Sequence, residues 1–240
     1  MLRPLLPPAV AVVETHGDDG TAPASAYPEE HRVVERAVDR RRHEFFAVRA
    51  CARHAMKTLG TAPAPILPDH NGAPRWPAGL IGSMTHCAGY RAAALARSGG
   101  LASLGIDAEP HGPLPDGVLP HVALPAERDR LTALAARHPA VHWDRLLFSA
   151  KESVYKAWYP LTGRWLEFDQ ADIEIHPPAG PAEHGRFTAV LLVPGPVVRG
   201  RRLQRFQGRW TVRHGLAATT VTVPADAPAA PRPAAAPPTR

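Results

Sequence analysis

The feature that most constrains the fold is an apolar stripe at helical spacing in the segment "WDRLLFSAKESVYKAW", residues 143–158. Apolar residues that recur at steps of three and four lie on one face of an α-helix. The residues of this stripe are Trp143, Leu146, Leu147, Ala150, Val154, Ala157 and Trp158. Because the stripe runs past Ser149 without a break, it predicts one continuous helix from Trp143 to Trp158.

The lysines of this helix are unusual for the chain. Only three lysines occur in the sequence, two of them at Lys151 and Lys156, and almost all other positive charge is arginine. An ammonium and a guanidinium differ as phosphate ligands and in proton transfer, so the pair indicates a function, with chance clustering as the alternative. Glu152 and Lys156 also fit an ordinary surface ion pair worth about 0.2–0.5 kcal/mol. Ser149 and Glu152 match an S-x-x-E capping box, which the unbroken stripe argues against.

A second chemical signal ends the predicted strand "LASLGIDAE", residues 101–109. Residues i and i+2 of a strand point to the same face, so Asp107 and Glu109 are predicted to lie side by side, with Ala108 facing away. Like charges this close repel unless a cation lies between them, and oxygen ligands suit Mg²⁺. The alternative is a strand end that reaches solvent at Pro110, where acidic residues are ordinary.

Basic residues recur in the segment "RRRHEFFAVRACARHAMKTLG", which predicts another helix that ends near Gly60. Arg42, Arg49 and Arg53 follow one another at steps of seven and four and share a face. This face is either solvated or binds an anion, and the spacing alone does not separate the two.

The segment "GSMTHCAGY" contains Ser83, His86 and Cys87, the residue types of a nucleophilic hydrolase. It lacks the G-x-S-x-G pattern of a nucleophile elbow, because Met84 and Thr85 follow the serine, so a serine or cysteine hydrolase is not indicated. An imidazole and the backbone N–H groups of a Gly-Ser turn can instead meet an anion.

The order of predicted elements is strand, helix, strands, helix and strands again. This order indicates an α+β fold in two halves, with the boundary between residues 108 and 120. The last segment, "ADAPAAPRPAAAPPTR", is of low complexity and is predicted to be disordered because it cannot bury enough apolar area to fold.

The formal net charge of +6 and the pI near 9.9 allow an anionic partner or a phosphate-rich ligand. A nucleic-acid-binding module is one such interpretation, but no RNP, zinc-finger or clear helix-turn-helix pattern supports it. The chain has no apolar run near the roughly 18 residues of a membrane span, no secretory signal and only two cysteines. We therefore expect a cytoplasmic protein that binds neither membranes nor nucleic acid.

The segments "GIDAEP" and "FSAKESVYKAW" together resemble the paired signature of the 4′-phosphopantetheinyl transferases, G-x-D-x-E followed by W/F-x-x-K-E-x-x-x-K. The upstream segments "FFAVRACARHAMKTLG", "APILPDHNGAPRWP" and "GSMTHCAGYRAA" resemble the larger, pseudo-dimeric Sfp type, especially its members from high-GC bacteria. This resemblance implies two pseudo-symmetric α+β halves, residues 1–110 and 111–224, with the active site at their interface and a tail at 225–240.

The implied activity is that of a holo-acyl-carrier-protein synthase. Such an enzyme transfers the 4′-phosphopantetheine group of coenzyme A to a serine of acyl and peptidyl carrier proteins and releases 3′,5′-ADP. The carrier proteins belong to polyketide, fatty-acid and nonribosomal peptide synthases. The resemblance further implies dependence on Mg²⁺, with Mn²⁺ as a substitute, and a monomeric enzyme. A metal-dependent hydrolase of coenzyme A or nucleotide diphosphates is the competing enzyme class.

The resemblance also implies roles for individual residues. Asp107, Glu109 and Glu152 would hold Mg²⁺ against the pyrophosphate, and Glu152 would act as the base for the carrier serine, either directly or through a metal-bound water. Lys151 and Lys156 would neutralise phosphate oxygens, and Lys156 would either protonate or stabilise the leaving 3′,5′-ADP. The catalytic residues would thus be Glu152, Lys156 and Asp107.

Five further residues would bind the 3′-phosphate and adenosine of coenzyme A: Arg41, Arg49, Arg53, Ser83 and His86. The chain departs from the pattern at Pro68, where close relatives have a basic residue. One contact with coenzyme A would therefore be either lost or supplied by His70 or Arg75.

Overall fold

The computed structural model describes residues 1–17, 27–178 and 184–225. Helices and strands are mixed as the element order predicts, and the α+β fold class is confirmed. Almost all of the Ala/Pro tail lies outside the described residues. No helix in the described ranges is long and apolar enough to cross a membrane.

The elements of the first part of the chain surround one three-stranded antiparallel sheet of order β1-β3-β2. After a 3₁₀ turn at Arg3–Leu5, they are β1 (Ala11–His16), α1 (Pro28–Val33), α2 (Asp39–Thr58), β2 (Leu80–Cys87) and β3 (Tyr90–Arg97). Helix α2 packs on this sheet, with Ala52, Ala55 and Met56 buried against Leu95. The helix ends as predicted, because Gly60 has a φ of +66°, a conformation that favours glycine.

The second sheet has five antiparallel strands in the order β4-β10-β9-β6-β5. In chain order the elements are β4 (Leu101–Pro110), α3 (Leu119–Val122), α4 (Pro125–Arg137), α5 (Trp143–Thr162), a 3₁₀ turn (Phe168–Gln170), β5 (Ala171–His176), β6 (Gly185–Leu191), β7 (Val197–Val198), β8 (Arg201–Arg202), β9 (Arg205–Arg213) and β10 (Leu216–Pro224). Strands β7 and β8 form a separate small hairpin. The sequence division at residue 110 places β4 in the first half, whereas β4 is hydrogen-bonded to β10 of the second sheet.

Helix α5 is unbroken, as the apolar stripe predicts, but it continues one turn beyond Trp158. Pro160 lies inside its last turn, and the helix ends only at Gly163, which has a left-handed φ of +64°. The Gly163 N–H donates to the carbonyl of Tyr159 at 2.8 Å. Proline removes only its own N–H, so the glycine and not the proline ends the helix.

The two sheets meet where β2 lies beside β4, and two hydroxyl groups connect them. Ser83 Oγ accepts the backbone N–H of Ile106 at 3.1 Å, and Thr85 Oγ1 accepts that of Ala108 at 3.2 Å. All four residues are buried. The hydroxyls therefore satisfy edge N–H groups of β4 that would otherwise be buried without an acceptor.

Helix α5 approaches β4 closely at Gly105, the glycine of "GIDAEP". A Cβ atom added there would lie 2.0 Å from the Ser153 carbonyl oxygen and 2.8 Å from the Ala157 nitrogen, both in the backbone of α5. The position therefore admits no side chain. The glycine sets the short distance between the helix and the strand that carries Asp107.

Substitution of Gly105 by alanine should destabilise the protein by about 3 kcal/mol, because the methyl group can be accommodated only if α5 moves. The measurement is chemical denaturation. Gly100→Ala is the matched control, since nothing lies within 4 Å of its added Cβ, and it should change the free energy of unfolding by less than about 0.5 kcal/mol. Equal midpoints for the two variants would contradict the close approach.

Candidate active site

The two carboxylates of β4 share the face that points toward α5. Asp107 Oδ1 accepts a hydrogen bond from Lys156 Nζ at 2.7 Å, and Glu109 Oε2 accepts one from Arg145 Nη1 at 3.2 Å. Ala108 packs on the opposite side of the strand in another apolar cluster. The same-face prediction from strand periodicity is therefore confirmed, although each carboxylate meets a basic side chain of α5.

The two oxygens of Asp107 have different surroundings. Oδ1 accepts from Lys156 and also from the hydroxyl of Thr85 at 3.1 Å. Oδ2 is buried and has no hydrogen-bond partner, in a residue that is 3% exposed. A buried carboxylate oxygen without a donor is costly, so Oδ2 has room for a positively charged or hydrogen-bonding partner.

The neighbouring carboxylates are destabilised as anions. Burial, followed by the charge of Asp107, raises the pKa of Glu109 to about 7, against the opposing effect of Arg145 and Lys156. Burial also raises the pKa of Glu152, with a further contribution from the charge of Asp107, while Lys156 lowers it. Two carboxyl groups with raised pKa values beside a third carboxylate favour a nearby positive charge.

These residues fit a hard divalent cation by their chemistry, since the donors are all oxygen and one of them lacks a partner. The fit does not extend to a preformed cage. Within residues 1–17, 27–178 and 184–225, no three histidine, cysteine, aspartate or glutamate side chains are grouped closely enough to hold a metal. Mg²⁺ commonly takes only one or two carboxylates and completes its shell with water and phosphate oxygens, which agrees with an open arrangement.

Next to the carboxylates lies a cavity of about 520 Å³ between α2, β2, α5 and the loop at residues 68–74. This volume is in the range of small-molecule sites. Among the described residues, no aspartate or glutamate lines it. Its walls include aromatic side chains, and it is lined by five of the predicted site residues: Arg41, Arg49, Ser83, His86 and Lys156. Lys156 belongs to both features, because it lines the cavity and binds Asp107.

Arg49 is buried, and this excludes a solvated position for it. Its guanidinium lies 3.2 Å from the centroid of the Phe45 ring, and Nε donates to the carbonyl of Ile66 at 2.7 Å. Burial lowers the pKa of Arg49 to about 10, which leaves the side chain positively charged at neutral pH. Arg42, two turns earlier on α2, is partly exposed and pairs with Asp39. The solvated-face interpretation is therefore correct for Arg42 alone.

Arg53 does not line the cavity. Its guanidinium is buried and pairs with Glu30 of α1 at 2.9 Å, and Glu30 also accepts the backbone N–H of Ile66 at 2.8 Å. The structure therefore places Arg53 in a buried connection between α1 and α2, one turn beyond Arg49 and outside the lining of the cavity.

His86 and Arg41 form a pair at the cavity. Arg41 Nη1 lies 2.9 Å from His86 Nε2, and Glu44 Oε2 lies 3.7 Å from His86 Nδ1. Burial lowers the pKa of His86, while Glu44 raises it and Arg41 lowers it further. A neutral imidazole whose Nε2 accepts from Arg41 carries its proton on Nδ1, toward Glu44.

Lys151 is not brought to the cavity either. Its ammonium pairs with the buried Glu127 of α4 at 2.8 Å and donates to the carbonyls of Phe168 and Ala171. Burial lowers the pKa of Lys151, and Glu127 opposes that effect. The compact ammonium thus satisfies three acceptors that connect α5 to α4 and β5, so the two lysines of the helix are separated.

Some residues of the site were not found from the sequence. Tyr159 donates to Asp69 Oδ2 at 2.7 Å and accepts from Asn71 at 2.9 Å, which holds the loop at residues 68–74 against α5. Pro68 and Asn71 line the cavity, but His70 and Arg75 do not. Thr85 could have been found by the i,i+2 spacing that it shares with Ser83.

Comparisons with known proteins show which family this chain resembles. A model of the 4′-phosphopantetheinyl transferase N-terminal domain matches residues 29–96, and one of the 4′-phosphopantetheinyl transferase superfamily matches residues 103–195. The chain is 57% identical over 228 residues to the 4′-phosphopantetheinyl transferase Svp of Streptomyces mobaraensis, which covers 95% of this chain and 91% of that protein. It is 48% identical over 197 residues to PptT of Mycobacterium tuberculosis, over 82% and 85% of the two chains. The chain is 47% identical over 199 residues to the 4′-phosphopantetheinyl transferase Npt of Nocardia iowensis, and the match covers 82% of this chain and 88% of that protein.

The two lysines of α5 should differ in a stability measurement. Lys151→Met removes the partner of a carboxylate that is 1% exposed and should cost about 3–5 kcal/mol in the free energy of unfolding. Lys156→Met should cost less, about 1–2 kcal/mol, because the described hydrogen bond of its ammonium goes to Asp107 alone, whereas Lys151→Met also leaves two carbonyls without a donor. Denaturant titration of both variants measures the difference. Similar losses would show that the ammonium of Lys151 does not have the structural role described.

Proposed function

Because the chain belongs to the 4′-phosphopantetheinyl transferase family and transfers phosphopantetheine from coenzyme A to carrier proteins, we propose that this transfer occurs where the cavity meets the carboxylates of β4. The observation that carries the proposal is the position of Lys156. Its ammonium binds Asp107 at 2.7 Å, and the same side chain lines the cavity. Lys156 therefore joins a site for an anionic ligand to a site for a cation.

The cavity is proposed to bind coenzyme A through Arg41, Arg49 and His86. Two guanidiniums and an imidazole in a cavity without acidic lining residues are suited to phosphate, and the aromatic walls are suited to a nucleobase and an apolar arm. Ser83 lines the cavity, but because its described hydrogen bond connects β2 to Ile106 of β4, it is assigned to the junction of the sheets and not to the ligand. Arg53 is left out of the proposal.

Asp107, Glu109 and Glu152 are proposed to hold a divalent cation, Mg²⁺ with Mn²⁺ as a substitute. The bare Oδ2 of Asp107 and the raised pKa values of Glu109 and Glu152 support this assignment. The cation, when bound, supplies neutralisation of the pyrophosphate charge. Lys151 is left out, because its ammonium is already held by three acceptors.

In the proposed reaction, the serine oxygen of the carrier forms a bond to the phosphorus that carries pantetheine, and the bond from that phosphorus to 3′,5′-ADP breaks. The serine proton passes to Glu152. Burial raises the pKa of this carboxyl toward the range in which a general base is effective. The charge that develops on the leaving phosphate is stabilised by Lys156.

The proposed acceptors are acyl and peptidyl carrier proteins of fatty-acid, polyketide and nonribosomal peptide synthases. Such carriers are acidic, which suits a chain with a formal net charge of +6. The working form is proposed to be a monomer, because residues from both halves of one chain line the cavity. A second copy is not needed to complete it. The proposed location of the protein is the cytoplasm.

The carboxylates should be essential for transfer. With coenzyme A and Mg²⁺, mass spectrometry of an apo carrier protein should show the gain of phosphopantetheine. Asp107→Asn and Glu152→Gln should each lower kcat by about 10²–10³-fold, and chelation should abolish transfer until Mg²⁺ is added back. Undiminished transfer by Asp107→Asn would remove the cation role. Release of free phosphopantetheine without carrier modification would indicate a hydrolase instead.

Coenzyme A affinity should separate two neighbouring arginines of α2. Arg41→Ala should weaken binding of coenzyme A by about 10–100-fold in calorimetry, because a charge-assisted phosphate contact is lost. Arg42→Ala is the control, since Arg42 does not line the cavity and pairs with Asp39. Dephospho-coenzyme A should bind Arg41→Ala and the unmodified protein alike if Arg41 contacts the 3′-phosphate. Equal losses of affinity for both ligands would place Arg41 elsewhere on coenzyme A.

A further inference from the structure

Thr85 of β2 lies beside the proposed cation site without belonging to its ligands. Its side chain crosses from the three-stranded sheet to β4, and the residue is 4% exposed. It precedes His86, which lines the cavity, but the hydroxyl of Thr85 points to Asp107 and Ala108. A threonine in this place can act either as a simple connection between sheets or on the carboxylate itself.

The directions of its hydrogen bonds are determined by the partners. The N–H of Ala108 can only donate, so Thr85 Oγ1 is its acceptor at 3.2 Å. The single hydroxyl proton is then free for Asp107 Oδ1, which lies 3.1 Å from Oγ1 and can only accept when ionised. Thr85 therefore donates to one defined oxygen of Asp107.

This hydrogen bond determines which oxygen of the Asp107 carboxylate remains without a donor. Oδ1 receives Thr85 and Lys156, whereas Oδ2 is buried with no donor. With Lys156 alone, rotation about the Cβ–Cγ bond would let either oxygen meet the ammonium. Two donors from different elements, β2 and α5, fix the carboxylate plane more strictly than one.

We propose that Thr85 is a positioning residue for the divalent cation: its hydroxyl holds Oδ1 of Asp107 so that Oδ2 is presented as the ligand. The inference rests on the cation site of the proposed function. Groups that hydrogen-bond to a ligating carboxylate orient it, and their removal commonly weakens metal binding by about 10–100-fold. A hydroxyl is suited to this position because it donates to the carboxylate and accepts the Ala108 N–H at the same time.

Ser83 provides a matched comparison. Its Oγ accepts the N–H of Ile106 at 3.1 Å, two residues before the Ala108 bond, and it is equally buried. Among its bonds in the described part of the chain, none goes to a carboxylate. Ser83→Ala and Thr85→Val therefore each remove one hydroxyl connection between the sheets, and only Thr85→Val also releases Asp107.

The experiment is a Mn²⁺ titration of the full chain, followed by electron paramagnetic resonance with coenzyme A present and no carrier protein. Thr85→Val should raise the Kd for Mn²⁺ by about tenfold or more, and Thr85→Ser should keep it within about threefold. Ser83→Ala should lose a similar free energy of unfolding but keep the Kd. In transfer assays, raised Mg²⁺ should restore the kcat of Thr85→Val, and the KM for coenzyme A should be unchanged.

The outcomes separate this inference from the proposed function. If the unmodified chain binds Mn²⁺ and Asp107→Ala does not, the cation site stands, and an unchanged Kd in Thr85→Val would overturn the role of Thr85 alone. Equal weakening by Thr85→Val and Ser83→Ala would also overturn it, because a general loosening of the sheets would then explain the effect. No saturable binding, or binding unaffected by Asp107→Ala, would overturn the cation site and this inference together.

Discussion

The close approach of α5 to β4 at Gly105 is the constraint on which the site depends. Because Gly105 has no side chain, the backbones of the two elements are in contact, and an added Cβ would lie 2.0 Å from the carbonyl oxygen of Ser153. At this separation a lysine of the helix reaches the carboxylate two residues further along the strand, and Arg145 reaches the carboxylate two residues beyond that. The charge pairs of the site are a result of this packing, and a wider spacing would place water between them.

Helix α5 shows how one element combines two kinds of charge. Lys151 is enclosed by a carboxylate and two carbonyls, so its charge is compensated inside the fold. Lys156 shares its partner Asp107 with a second donor and keeps a quarter of its side chain exposed. A buried pair rarely adds net stability over an apolar one, but breaking it is costly. The charge of Lys151 is thus held inside the fold, whereas the charge of Lys156 is accessible to a ligand.

The sequence predicted those features that depend on local period. Strand alternation placed Asp107 and Glu109 on one face, and the apolar stripe gave the continuity of α5. It did not separate Lys151 from Lys156 or Arg53 from Arg49, because the deciding partners, Glu127 and Glu30, lie far away in the chain. Spacing shows which residues share a face but not what covers that face. Short elements such as α3 and the β7–β8 hairpin contain too few residues for a period to be detected.

The junction of the two sheets is held together by a different type of hydrogen bond from that within each sheet. Between β2 and β4, the hydrogen bonds described here end on side-chain oxygens, whereas the strands within each sheet are paired by backbone ladders. Two hydroxyl bonds and apolar contact resist separation less than a ladder does, so this junction is a natural boundary between cooperative units. The amide hydrogens of Ile106 and Ala108 therefore report on this junction: their exchange with solvent measures the separation of the two sheets and not the fraying of either sheet.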